Sequence, residues 1–167
     1  MALVIDATIG GANSNSYVSL AEAETYFSGR LNADAWNNAA TDDIKNRALA
    51  MATQRIDFES FIGSRVTSTQ ALKWPRTDLP YFDGVTYSSA EIPTDIKKAT
   101  YELALYMLSK DMSAADGNDA YDSIKVGPIN IDFADSQPSN NKLPPFVMRL
   151  LDQFKEYSLG IISVSRG

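Results

Sequence analysis

Apolar and polar positions alternate or recur along most of this chain, and the period changes several times. "ALVID" near the start alternates well enough to predict a short strand, and "GGANSNS" after it has the Gly and Asn content of an irregular loop. "SLAE" is a capping box. Ser19 can accept from the backbone N–H of Glu22 while Glu22 reaches back, and Leu20, Ala23, Phe27 and Leu31 then mark one face of a helix over about 20–30. Thr41 or Asp42 caps a second helix at about 42–59, with Ile44, Ala48, Met51, Ala52 and Ile56 at helical spacing and Gly63 just past its end.

From 63 to 92 no period is sustained. That connection is long for a compact domain, and such loops are usually functional or packed. Pro93 fits the first turn of a third helix, whose stripe of Ile96, Ala99, Thr100, Leu103 and Met107 is widened by Ala104, Leu105 and Leu108; so broad an apolar surface predicts the central helix. "YDSIKVGPINIDFAD" alternates on both sides of Gly127-Pro128, which predicts a hairpin with strands at about 122–126 and 129–134 and places Pro128 in the turn or on an edge. "SQPSNNK" reads as a link, "LPPFVMRLLDQFKEY" as a short helix with Phe146, Val147, Leu150, Leu151 and Phe154 on its apolar side, and "GIISVSRG" as an extended tail. The pattern therefore predicts a mainly α fold: a small bundle of about four helices with a β-hairpin in residues 1–134, then a linker, short helix and extended C-terminal arm in 135–167.

Length and composition narrow the chemistry. A chain of 167 residues, 44% hydrophobic and 22% charged, suits one core that buries roughly two-thirds of its unfolded surface. There is no cysteine and no histidine, so disulfides, thiolate nucleophiles, Cys or His metal sites and the usual neutral-pH base are excluded. Carboxylate pairs such as Asp57 with Glu59, Asp132 with Asp135 or Asp42 with Asp43 lack any nucleophile motif, and "DGNDAYD" lacks the glutamate and flanking helices of a calcium loop. The reading is a protein that is not an enzyme and takes no cofactor. No apolar run has the length of a membrane span, and "MALVIDATIGG" has neither the basic start nor the apolar stretch of an export signal.

Fifteen basic residues against twenty-one acidic ones give a net charge of −6, which opposes a broad nucleic-acid face. The basic pairs Lys73 with Arg76 and Lys97 with Lys98 are small. The aromatics Tyr17, Tyr26, Trp36, Trp74, Tyr81, Phe82, Tyr87 and Tyr101 could stack bases, but such platforms sit in basic grooves, so packing is the better reading. "KWPR" stands out because neither helix nor strand periodicity requires it. Pro75 biases Trp74 out of the helical region, and Arg76 can lie along the indole or reach a carboxylate; the expectation is a structural corner, with a subunit or partner contact as the alternative.

"NSYVSLAEAETYF", a following Trp, "ALAMATQRID", "STQALKWPRTD", "IPTDIKKATYELAL" and "VGPINIDF", in this order over about residues 13–134, resemble a family of small proteins from tailed-phage structural gene clusters. That family carries the label DnaT-like single-stranded-DNA-binding protein and is similar to head–tail connector, or adaptor, proteins. The matching positions are Asn15, Ser16, Tyr17 and Val18; Gln70, Leu72, Trp74, Pro75 and Arg76; Ile92, Pro93, Lys97, Ala99 and Glu102; and Val126, Gly127 and Pro128. The family writes "ANSYV" where this chain has "GANSNSYV".

The resemblance implies a virion protein of the neck, made in the host bacterial cytoplasm. It would form a homo-oligomeric ring of about twelve subunits between the portal protein and the tail or next neck protein, with DNA passing through the channel and no membrane contact. Such a ring would place on the order of 70 negative charges around that channel. The hairpin at Val126, Gly127 and Pro128 would meet a neighbour's sheet, and Phe146, Leu150, Leu151, Phe154, Ile161 and Ile162 of the C-terminal arm would contact the portal or a neighbour, the alternative being that the arm packs on its own protomer's core. The alternative, which the label names, is a primosome-like module that binds single-stranded DNA.

Overall fold

The computed structural model describes residues 2–79, 87–110, 123–126, 129–132 and 143–156. The described residues are mainly helical, with five α-helices and short antiparallel strand pairs. α1 spans Leu20–Ser28, α2 Asp34–Asn37, α3 Asp42–Asp57, α4 Thr94–Ser109 and α5 Pro145–Leu151; the strands are β1 Ser64–Arg65, β2 Arg76–Thr77, β3 Ser123–Val126 and β4 Ile129–Asp132. Among the described residues no helix is long and apolar enough to cross a membrane.

The local signals set the helix starts. At α1 the Ser19 hydroxyl accepts from Glu22 N at 3.2 Å and the Glu22 carboxylate accepts from Ser19 N at 2.8 Å, which closes the capping box. Thr41 accepts from Ile44 N at 3.3 Å to cap α3. Pro93 precedes α4, its carbonyl accepting from Ile96 N and Lys97 N, and Pro145 occupies the first position of α5, where its missing N–H costs nothing.

α4 is central, as its broad stripe predicts. It buries Ile96, Ala99, Thr100, Tyr101, Leu103, Ala104 and Leu105 and packs against α3, α5 and α2. α3 buries Ala48, Leu49, Ala52, Thr53 and Ile56. Two residues of its expected stripe, Ile44 and Met51, face outward instead, because at about 100° per residue they fall well to one side of the buried face. α1 stops at Ser28 rather than near 30, and Leu31 beyond it is 85% exposed.

Three further features differ from the sequence expectation. "ALVID" forms no strand: Leu3 N donates to Asp43 at 2.7 Å, Asn46 donates to Leu3 O at 3.1 Å, and Asn15 both donates to Val4 O and accepts from Asp6 N. Side chains thus take the place of a neighbouring strand. α2, too short for a period to show, seats buried Trp36 on Phe27, with ring centroids 4.4 Å apart. In the long connection, β1 and β2 pair antiparallel with Ser64 opposite Thr77 and Arg65 opposite Arg76. Gly63 enters that pair at φ +76, where an added Cβ would overlap the Thr77 carbonyl oxygen.

The predicted hairpin is present as β3 and β4, with Ser123 opposite Asp132 and Val126 opposite Ile129. Gly127 and Pro128 lie outside the described residues, as do Tyr81, Phe82 and the "DGNDAYD" stretch. The helix of the C-terminal arm does not leave the domain. Leu143, Val147, Leu151 and Phe154 belong to the same buried cluster as Tyr17, Ile56, Trp74 and Leu103, so the expectation that Leu151 and Phe154 anchor a portal or neighbour is corrected. A short apolar stripe buries itself on the first apolar surface within reach, here α4 of its own chain.

Candidate functional site

Two places gather the residues singled out by sequence: the Trp74-Pro75-Arg76 corner and a groove among α1, α4 and α5. In the corner, Trp74 is 1% exposed, Pro75 is buried and the peptide joining them is cis. The indole meets Phe61 and Phe154 edge-on at 5.4 and 5.2 Å between centroids. Arg76 lies neither along the indole nor on a carboxylate. Its guanidinium donates to three successive carbonyls, from Nη2 to Phe61 O at 2.9 Å and Gly63 O at 2.5 Å and from Nε to Ile62 O at 2.7 Å. Burial pulls this guanidinium down from its ordinary value.

The neighbours are equally occupied. Gln70 donates to Leu72 O and Pro75 O and accepts from Thr67 N. Tyr17, far away in sequence, donates its hydroxyl to Asp57, whose same oxygen accepts from Lys73 N at 2.8 Å. Burial, reinforced by the Asp57 charge, pushes the Tyr17 hydroxyl well above its ordinary value. Trp74, Pro75, Arg76 and Tyr17 therefore meet in one place, and its polar groups fix a loop to α3. Arg76→Ala would strip hydrogen bonds from three carbonyls in a row and is expected to destabilise the fold by about 2–4 kcal/mol in a urea titration, with Arg76→Lys recovering little because an ammonium lacks the planar fork.

In the second place, Glu102 on α4 takes both forks of Arg30, Nε to Oε1 at 2.6 Å and Nη2 to Oε2 at 2.8 Å, and accepts the Tyr26 hydroxyl at 2.6 Å. The Tyr26 ring stacks on Tyr101 at 4.5 Å. Burial alone would raise Glu102, but Arg30 and Tyr26 outweigh it and hold the carboxyl below the ordinary glutamate range; burial and Glu102 push Tyr26 up to about 12. These groups floor a groove of about 400 Å3 whose apolar wall is Phe146 and Leu150 of α5. Phe146 is 43% exposed and Leu150 half-buried. Ile161 and Ile162 lie outside the described residues.

A depressed folded pKa gives stability that is complete above the unfolded value and lost as pH falls through the folded one. Glu102→Gln is accordingly expected to cost about 1–2 kcal/mol at neutral pH, Arg30 being partly solvated, and the gap to the parent chain should narrow as the pH falls below the ordinary glutamate range. Denaturant midpoints across that range measure it.

The basic side chains matter for any nucleic-acid interface. Arg30 pairs with Glu102, Lys45 with Glu24, Arg47 with Asp43, Arg55 and Lys155 with Glu59, Lys97 with Glu22, and Lys98 with Asp95. Lys73 donates to the Glu59 carbonyl and Arg76 to its three. Neither basic pair noted in the sequence makes an open patch. Of the aromatics weighed for base stacking and read as packing, Tyr17, Trp36, Trp74 and Tyr101 are buried; the exposed large rings among the described residues are Phe58 and Phe146. The sequence did not mark Arg30 or Gln70 as braces, and it gave Asp57 no structural role. Their partners lie elsewhere in the chain, so no local pattern marks those roles.

Helices packed on one core, with polar side chains turned to holding loops and helix ends, define a small mainly helical domain with short hairpins. The chain belongs to the family described as "Putative DnaT-like ssDNA binding protein", whose model matches residues 1–167. No curated protein and no solved structure matches it.

Proposed function

We propose that this protein is a structural subunit of a tailed-phage neck: a head–tail adaptor that forms a ring between the portal and the tail or next neck component and lets DNA pass without binding it. The observation that carries this reading is the occupation of the basic side chains. A strand binder must offer cations that release counterions from phosphates, whereas here seven of them are matched to carboxylates of the same chain and two more to backbone carbonyls. The acidic balance and the resemblance over residues 13–134 support the same reading. In it the Trp74 corner keeps the long loop in one shape, the Phe146 and Leu150 groove receives a neighbour or the portal, and the hairpin edge pairs across subunits.

The family's description favours a second reading, a single-stranded-DNA-binding module. It would use the exposed Arg65, Lys110 and Arg149, which lie outside these pairs, and open pairs such as Lys97 with Glu22 in exchange for phosphate. One experiment separates the two: native mass measurement of the protein with and without portal, beside anisotropy with an oligomer of about thirty nucleotides at two salt concentrations. Ring-sized assemblies and no salt-sensitive binding are expected. Sub-micromolar, salt-sensitive binding by a chain that forms no ring would replace the adaptor with the strand binder.

A further inference from the structure

The turn between α1 and α2 holds an apolar side chain out from the surface. Leu31 is 85% exposed, yet its backbone is fixed from both sides. The Arg30 guanidinium donates to Leu31 O at 2.5 Å and to Asn32 O at 3.2 Å, Asn32 stands at φ +57, and Ala33 and Trp36 just beyond are buried. Asp34, three residues after Leu31, is exposed, and its carboxylate has no partner among the described residues. The turn thus presents a rigid leucine with an open negative charge beside it.

The groove among α1, α4 and α5 has the opposite character. Tyr106 meets Phe146 at one end of α5 and Gln153 donates to Asp95 at 2.8 Å at the other, so α5 runs antiparallel to α4. Phe146 and Leu150 form the groove's apolar wall, and Arg149, three residues after Phe146, stands on the same side of the helix. Arg149 is exposed and unpaired among the described residues, while Lys98 in the lining meets Asp95 only at 3.7 Å. Glu102 is already taken by Arg30 and Tyr26, which leaves the open charge around the groove positive. Such a wall and rim suit an apolar side chain with a carboxylate close by.

We propose that Leu31 of one copy of this chain seats against Phe146 and Leu150 of the next, with Asp34 meeting Arg149 and Lys98 of that neighbour. The proposal rests on the adaptor reading, which gives this groove to a subunit or the portal, and it names the occupant. Tip and groove are different surfaces of one protomer, so the contact is head-to-tail, and its repetition closes a ring where the rotation allows. Arg30 serves both sides, since it braces the tip and lines the groove.

The chain has no cysteine, so introduced thiols are its only ones. Leu31→Cys protein would be mixed with Phe146→Cys protein, and separately with Leu150→Cys protein, then oxidised and resolved by non-reducing electrophoresis and intact mass. At least one mixture should give mixed covalent dimers that revert with reductant, and the corresponding double variant should give a ladder of oligomers. Asp34→Arg and Arg149→Asp should each lower the cross-linking yield about two- to fivefold, the worth of an exposed ion pair, and together restore it. Rings seen by native mass measurement whose mixed variants keep free thiols would overturn the proposal and leave the adaptor reading standing. Cross-links that stop at dimers in the double variant would keep the contact but make it reciprocal, which overturns the ring. A disulfide within one chain, or monomers with free thiols at every concentration, would overturn the contact itself.

Discussion

Deletion of residues 143–167 is expected to unfold the chain rather than release a soluble protomer from its arm. Leu143, Val147, Leu151 and Phe154 are all buried in the common core. At about 1.5–3 kcal/mol for each large apolar side chain, their removal withdraws roughly 6–12 kcal/mol, against about 5–15 kcal/mol of total stability for an ordinary domain. The loss does not stop there. Phe154 supports the rings of Trp74 and Tyr87, Lys155 pairs with Glu59 at 2.6 Å, and the backbone of Phe154 and Glu156 ties down residues 60–62. Far-ultraviolet circular dichroism should show reduced helix and no cooperative melt, while deletion of 157–167 alone should keep the transition. A native-like spectrum with a sharp melt after the longer deletion would show that α5 is dispensable to the core.

Trp74→Ala should be the most damaging single substitution at the corner. The indole fills the space between Phe61 and Phe154, and emptying such a site costs about 3–5 kcal/mol. For a domain of this size each kcal/mol lowers the melting temperature by about 2–4 °C, so a drop of roughly 6–20 °C is expected. Trp74→Phe separates packing from hydrogen bonding. Among the described residues the buried indole nitrogen of Trp74 has no hydrogen-bond partner, so Phe removes mainly volume and should recover most of the loss. Equal melting of the Ala variant and the parent chain would contradict the corner, whatever its effect on assembly.

What the sequence alone determined is what neighbours within a turn can settle. Ser19 with Glu22 and Thr41 with Ile44 N set where α1 and α3 begin, because the capping groups lie three residues apart. The broad stripe of α4 made it central, and the alternation around Gly127-Pro128 gave the β3 and β4 pair. Tertiary structure decided the remainder. Periodicity grouped Ile44 and Met51 with Ala48 and Ile56, but α4 covers one side of α3, and only the packed helices show which side that is. The "ALVID" pattern suits a strand, yet among the described residues no strand lies beside it, and Asp43, Asn46 and Asn15 take up its backbone groups. "KWPR" announced a rigid turn without saying what Arg76 holds, since its carbonyl partners come thirteen to fifteen residues earlier. Glu102 meets Arg30 across 72 residues, and Phe154 reaches Trp74 only after the chain has passed through α4 and α5. Such contacts depend on which surfaces the core brings face to face, and no local spacing encodes that.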